Sequence, residues 1–169
     1  MIILGIDPGI ARLGWGVVTE IKGKVKQVDC GCFETKAGDG TGKRLLEINH
    51  FLVKLFKKHQ PNAIAVEEIY FAANARSAIM VGQARGAILL SVAQCKFPVF
   101  SYTPLQVKQV ITGYGHAKKK EVQQQVKKIL RLKELMKQDD TADALAIAIT
   151  HIYHYKPKLR KVVNRPKKK

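Results

Sequence analysis

Residues 2–6 form an uninterrupted apolar run that stops at Asp7-Pro8-Gly9. A run of that length ending in turn residues predicts a buried strand. Residues 14–19 and 24–33 follow as strands, with Lys22-Gly23 as the turn between them. The period then changes. Leu45, Ile48, Leu52, Leu55 and Phe56 recur at three- and four-residue spacing, which predicts a helix over 43–59 that Pro61-Asn62 ends.

Residues 63–67 are a second short apolar strand, closed by Glu67-Glu68. A long helix is predicted over 74–95 with Asn74 as its cap, then a fifth strand over 98–102. Thr103-Pro104 starts a helix that runs through Ile111, and Gly113-Tyr114-Gly115 breaks the chain. Two last helices cover 119–130 and 140–153. Three consecutive strands, followed by alternating helices and strands, predict an α/β fold: a mixed five-stranded sheet flanked by helices. Residues 1–155 read as one domain. Residues 156–169 are basic, contain proline and hold too few apolar side chains to pack, so they read as a disordered tail.

Size and composition narrow the class. The chain has 169 residues, 46% of them hydrophobic, enough for a single domain with a real core. No apolar stretch reaches the ~18 residues of a membrane span. The N-terminus lacks the basic region of a signal peptide, so it reads as a core strand. Three cysteines cannot all pair internally, which points to a reducing cytoplasm. Charge changes the picture most. The net charge is +17, and its excess sits in two places: residues 156–169 hold eight basic and no acidic side chains, and residues 108–137 hold nine basic against two acidic. A polyphosphate partner fits that distribution, because each phosphate contact releases condensed counterions.

Against that background the acids stand out. Asp7 ends the first strand and Glu67 the fourth, while Asp140 and Asp143 lie three apart on one face at the start of an apolar helix. If the two strands are neighbours, their ends bring Asp7 and Glu67 together, and a helix crossing those ends adds the other two. Carboxylates gathered this way repel one another unless a cation sits among them, and all-oxygen ligands favour Mg²⁺ or Mn²⁺. Two such ions about 3.5–4 Å apart can activate water and stabilise a leaving oxygen in phosphodiester hydrolysis. Each acid also has a structural reading, as a turn residue, a solvated strand end or a helix cap, and spacing leaves both open. Other features carry less. Cys30 and Cys32 read as core, His151 and His154 as packing, and Gly9, Gly14 and Gly16 do not form a phosphate-binding loop.

Four motifs in order bring a resemblance. Gly5-Ile6-Asp7-Pro8-Gly9 with Gly14-Trp15-Gly16, Ala65-Val66-Glu67-Glu68, Gly82-Gln83-Ala84-Arg85-Gly86, and Asp140-Thr141-Ala142-Asp143-Ala144-Leu145-Ala146-Ile147-Ala148 followed by Thr150-His151 resemble the RuvC family of Holliday-junction resolvases. The resemblance implies a ribonuclease-H-like fold, a homodimer, and paired symmetric nicks in four-way junction DNA during recombination and repair. It implies Mg²⁺ as cofactor, two per site with Mn²⁺ able to substitute, and carries the catalytic and metal-binding roles onto Asp7, Glu67, Asp140 and Asp143. Glu68 and Asp139 are neighbouring acids that could share in metal binding.

The same resemblance implies an aromatic at the junction centre, for which Tyr70 and Phe71 are both candidates. It matches Lys108 and Lys119 to basic positions near the active site, with Lys118 and Lys120 one residue either side of the second match. Ala75, Ala78, Gly82 and Gly86 form a small-residue ridge that offers a dimer interface. A branch-migration helicase complex is implied as a further partner. Three rivals share parts of this pattern. Actin-like or sugar-kinase-like ATPases duplicate the fold and need more chain than this, other ribonuclease-H-like nucleases act on RNA or hybrids, and a non-catalytic DNA-binding protein would leave the four acids without a role.

Overall fold

The computed structural model describes the backbone of residues 1–68, 75–136 and 138–163, and the side chains of all of these except 75–77 and 156–163. Strands β1 (Ile2–Asp7), β2 (Arg12–Ile21) and β3 (Lys24–Glu34) come first, then helix α1 (Thr41–His59), β4 (Ala63–Glu67), α2 (Ala75–Gln94), β5 (Val99–Tyr102), α3 (Pro104–Thr112), α4 (Lys119–Leu130) and α5 (Asp139–Val163). The strands form one sheet in the order β3-β2-β1-β4-β5. β1 pairs antiparallel with β2 and parallel with β4, so the sheet is mixed as the element order predicts.

Local chemistry sets the joints. Lys22 and Gly23 adopt φ of 50° and 78°, the paired positive values a tight type I′ hairpin turn needs. In β3, Val28 is an extra residue between Gln27, which faces Val18, and Asp29, which faces Val17. This bulge bends the edge strand. Thr103 and Gln106 form a reciprocal capping box that starts α3 immediately after β5.

The two faces of the sheet bury separate cores. One packs Leu4, Ile6, Val17, Ile64 and Val66 against Ile48, Leu52 and Phe56 of α1 and Ala84, Ile88 and Val92 of α2. The other packs Ile3, Val18 and Ala65 against α3, α4 and α5. On that second face α5 lies unusually close to the strands. A Cβ on Gly5 would overlap the Ala144 carbonyl, and one on Gly14 would overlap that of Asp140. One on Gly16 would come within 2.7 Å of the Leu145 side chain. The Gly-x-Gly pair of β2 therefore seats a helix.

The last helix, expected over 140–153, runs further than its apolar pattern. Residues 156–163 continue α5, which ends at Val163. Lengthening an existing helix needs no new nucleus, and the lysines, Leu159 and Arg160 favour it although Pro157 opposes it. Residues 164–169 and the expected cap Asn74 lie outside the described residues.

Candidate active site

β1 and β4 are parallel neighbours with Ile6 opposite Val66, so the residues that follow, Asp7 and Glu67, finish side by side. α5 crosses these strands with its first turn over Gly14, which carries Asp140 and Asp143 to the same end of the sheet. α4 begins there too, and its first residue, Lys119, places Nζ 2.9 Å from Asp143 Oδ2 and 3.5 Å from Asp139 Oδ2. Glu67, Lys108, Lys119 and Asp143 line a cleft of about 190 Å³ whose apolar wall is Pro104, Val107, Val122 and Ala146.

The acids strain one another electrostatically. Burial, then the charges of Glu67, Asp143 and Asp140, push the Asp7 carboxyl up to about 8. Burial and Asp143 push Glu67 up to about 7, although Lys119, Lys108 and a hydrogen bond from Asp7 pull it back. Burial also raises Asp143, against the pull of Lys119. Asp140 is held from the far side: Arg12 Nε lies 2.9 Å from its Oδ2, and Cys32 Sγ lies 3.8 Å from the same oxygen.

Among the described residues, no three of the potential ligand groups stand together as a finished metal cage. The donor set nonetheless fits a hard divalent cation. Glu67 and Asp143 line the cleft with Asp7 and Asp140 close by, and the chain's own cations pair directly with Asp140 and Asp143, while burial opposes ionisation of Asp7 and Glu67 unless a further cation joins them.

The structure gathers Asp7, Glu67, Asp140, Asp143, Lys108 and Lys119, all named from sequence. Of the three adjacent lysines, Lys119 reaches the cleft, while Lys118 occupies the N-cap of α4 and Lys120 is exposed. Glu68 is exposed, with its backbone N–H bonded to the Tyr102 carbonyl, and Asp139 is bound by Gln123 at 2.8 Å. Tyr70 and Phe71 lie outside the described residues. Cys30 packs against the core as expected, but Cys32 does more than pack, because it touches an active-site acid. His151 is buried and its Nδ1 bonds the Tyr102 hydroxyl at 2.8 Å, which is a packing role.

Sequence reasoning missed two arginines. Arg12 reaches Asp140 across the β2–α5 contact. Arg85 of α2 donates to the Glu67 carbonyl at 3.3 Å and to Ser101 Oγ at 2.8 Å, fixing the strand end that presents Glu67. Its place inside the Gly-Gln-Ala-Arg-Gly motif was the only signal.

Comparison with known proteins adds to this geometry. The model of the family Crossover junction endodeoxyribonuclease RuvC matches residues 3–151. The chain belongs to the RuvC family. A crossover junction endodeoxyribonuclease RuvC of Desulfitobacterium hafniense is 50% identical over 153 residues, covering 90% of this chain and 93% of its own. The Thermus thermophilus RuvC structure superposes with a TM-score of 0.87 at 39% identity, over 94% of this chain and 97% of that one. T. thermophilus RuvC in complex with Holliday junction substrate gives 0.88 at 38% identity, over 94% and 96%. The fold is thus that of the ribonuclease-H-like RuvC enzymes, and the activity is endonucleolytic hydrolysis of DNA phosphodiester bonds at crossover junctions.

Proposed function

We propose that this RuvC-family chain works as a homodimer that cuts two opposed strands of a four-way DNA junction, using two Mg²⁺ ions held by Asp7, Glu67, Asp140 and Asp143. The observation that carries the reading is that Glu67 and Asp143 line one lysine-flanked cleft, with Asp7 and Asp140 near enough to act on them electrostatically. Bound divalent ions supply Lewis acidity for the attacking water and the leaving oxygen.

The chain's own groups do the rest. Asp7 ends the central strand, paired with Gly14 of β2 on one side and one residue beyond the Ile6–Val66 pair with β4 on the other. Lys119 pairs with Asp143 in this structure and, with a cation bound at the acids, would be free to balance charge on the scissile phosphate. Lys108, which also lines the cleft, steers the backbone, and neither lysine reads bases. Tyr70 and Phe71 remain the candidates for the junction centre, and Lys118 and Lys120 add exposed charge beside the cleft.

A second copy has a suitable surface in α2. Ile79 and Leu90 are 63% and 57% exposed, and Gly86 faces open space, so this stripe is unused by the subunit's own core. Seven- and four-residue steps from Ile79 to Gly86 to Leu90 keep them on one face. Two-fold pairing there gives two equivalent sites for two equivalent strands. A branch-migration helicase as partner and a cytoplasmic location complete the proposal. Cys30, Cys32 and Cys95 are all free thiols, which suits a reducing compartment.

The test is cleavage of a labelled four-way junction beside a linear duplex, with Mg²⁺ and with EDTA. Paired, symmetric nicks on the junction alone, lost in EDTA, are expected. Junction binding without cutting, or preference for a hybrid or RNA, would overturn the proposal.

A further inference from the structure

The loop between α3 and α4, residues 113–118, joins the two helices that bring Lys108 and Lys119 to the cleft, and of it the chemistry above uses only Lys118. It is built to hold one side chain outward. Gly113 takes φ of 82°, and its carbonyl accepts from Gln109 Nε2 at 2.8 Å. The Thr112 hydroxyl lies 2.8 Å from the Lys108 carbonyl and 3.0 Å from that of Tyr114, and it accepts from the Tyr114 N–H at 3.1 Å. Gly115 lets the backbone come down on Leu105: a Cβ there would sit 3.2 Å from Leu105 Cγ. The result is a Tyr114 ring 61% exposed, backed edge-on by His116 at 5.7 Å, beside a Leu105 that is 55% exposed.

An exposed aromatic on so firmly bonded a loop is not core packing. Its neighbours in sequence are Lys108 on one side and Lys118, Lys119 and Lys120 on the other, and residues 113–118 contain no acid. A flat apolar surface ringed by cations suits a nucleotide, whose base has an apolar face and whose backbone is anionic. The reach is also right. The Ala117 N–H bonds the Tyr114 carbonyl at 3.2 Å, a turn that keeps the two Cα atoms within about 7 Å. Lys119 lies two residues further on, at most ~7 Å more. A stacked strand rising about 3.4 Å per nucleotide therefore brings Tyr114 within roughly four nucleotides of the phosphate facing Lys119.

We propose that Tyr114 stacks on an unpaired or partly unstacked base flanking the scissile phosphate and so contributes to the choice of cutting position. This rests on the junction-cutting reading. The experiment compares wild type with Tyr114→Ala and Tyr114→Phe in EDTA, on four-way junctions carrying an abasic site at each position within four nucleotides of the nick.

At one position the abasic site is expected to weaken wild-type binding about tenfold, the order that stacking on one aromatic side chain contributes. Tyr114→Ala weakens the intact junction by a similar factor, and the two losses do not add. Tyr114→Phe binds as wild type. With Mg²⁺, Tyr114→Ala raises KM and leaves kcat at saturating junction unchanged. Wild-type affinity in Tyr114→Ala overturns the proposal, as expected if the patch instead meets a partner protein. So does additivity at every position, or a Phe variant that fails like the Ala variant. Failure of wild type to bind or cut any junction is a different result, and it sinks the functional reading itself.

Discussion

The two faces of the sheet solve opposite problems. On the face covered by α1 and α2 the gap is filled with bulk: Phe33 stacks on Phe51 at 4.3 Å, Trp15 meets Phe51 at 6.1 Å, and Phe56 meets Phe97 edge-on at 5.6 Å. On the face covered by α5 the strands offer Gly5, Gly14 and Gly16, and the helix answers with Ala144 and Ala148. β2 alternates between the two regimes residue by residue, because Trp15 points one way and the flanking glycines the other. Bulk packing yields when a side chain changes, since neighbours can turn to fill or free space. Backbone against backbone cannot yield. The face where glycines let a helix backbone touch the strands is the one that fixes where Asp140 and Asp143 stand relative to Asp7 and Glu67.

That contrast is tested most severely by Asp7→Asn. Removing the proposed central ligand is expected to cost several kcal/mol of transition-state stabilisation, roughly a thousandfold or more in cutting. Junction binding in EDTA stays near wild type in a filter or mobility assay. Gly14→Ala removes no functional group, yet it lifts the first turn of α5 through Asp140. A displacement near 1 Å is expected to lower kcat about a hundredfold, while overpacking lowers stability by about 1–3 kcal/mol. Full activity per folded molecule in that variant would break the comparison.

Arg12→Ala frees Asp140 from its outer partner and is expected to weaken metal affinity about tenfold, read by calorimetric titration as well as by cutting.

The pH response is smaller, and its sign follows from the raised carboxyls. Asp7 and Glu67 in the folded, metal-free protein hold protons up to about 8 and 7, whereas the unfolded chain loses them near 3.8 and 4.5. Between those limits the folded state binds more protons, so stability without metal falls as pH rises from about 4 to about 8. Mg²⁺ competes with those protons. The rise in Tm on adding it should therefore be larger at pH 8.5 than at pH 6, and an equal rise at both would contradict the shared burial of these acids. Smallest of all for catalysis is Phe51→Leu. It should lower stability by about 1.5 kcal/mol, seen as a lower Tm, and leave cutting per folded molecule unchanged within twofold.

What could be read in advance divides along the same line. Strand ends and apolar helix starts announce themselves locally, so Asp7, Glu67, Asp140 and Asp143 were visible, as were the sheet's mixed character and the hairpin at Lys22-Gly23. Arg12 was not, because its partner Asp140 is distant in the chain and reaches it only when α5 lies on β2. Gly14 and Gly16 belong to a motif of the family resemblance, but their spacing shows only that they form no phosphate loop. Their use depends on which helix covers them, and the strand pattern does not carry that information. Cys32 looked like core for the same reason. The extent of α5 beyond 155 was missed because composition argued against packing, whereas helix continuation needs no packing.

The last helix has one more consequence, and it concerns time. A growing polypeptide delivers Asp7 and Glu67 early, but Asp140 and Asp143 emerge roughly seventy residues later. At about 5–20 residues per second that is a delay of roughly 4–14 s. Until α5 leaves the ribosome and covers β1 and β2, the nascent chain holds two of the four candidate acids and one bare sheet face, so the candidate site forms only at the end of synthesis.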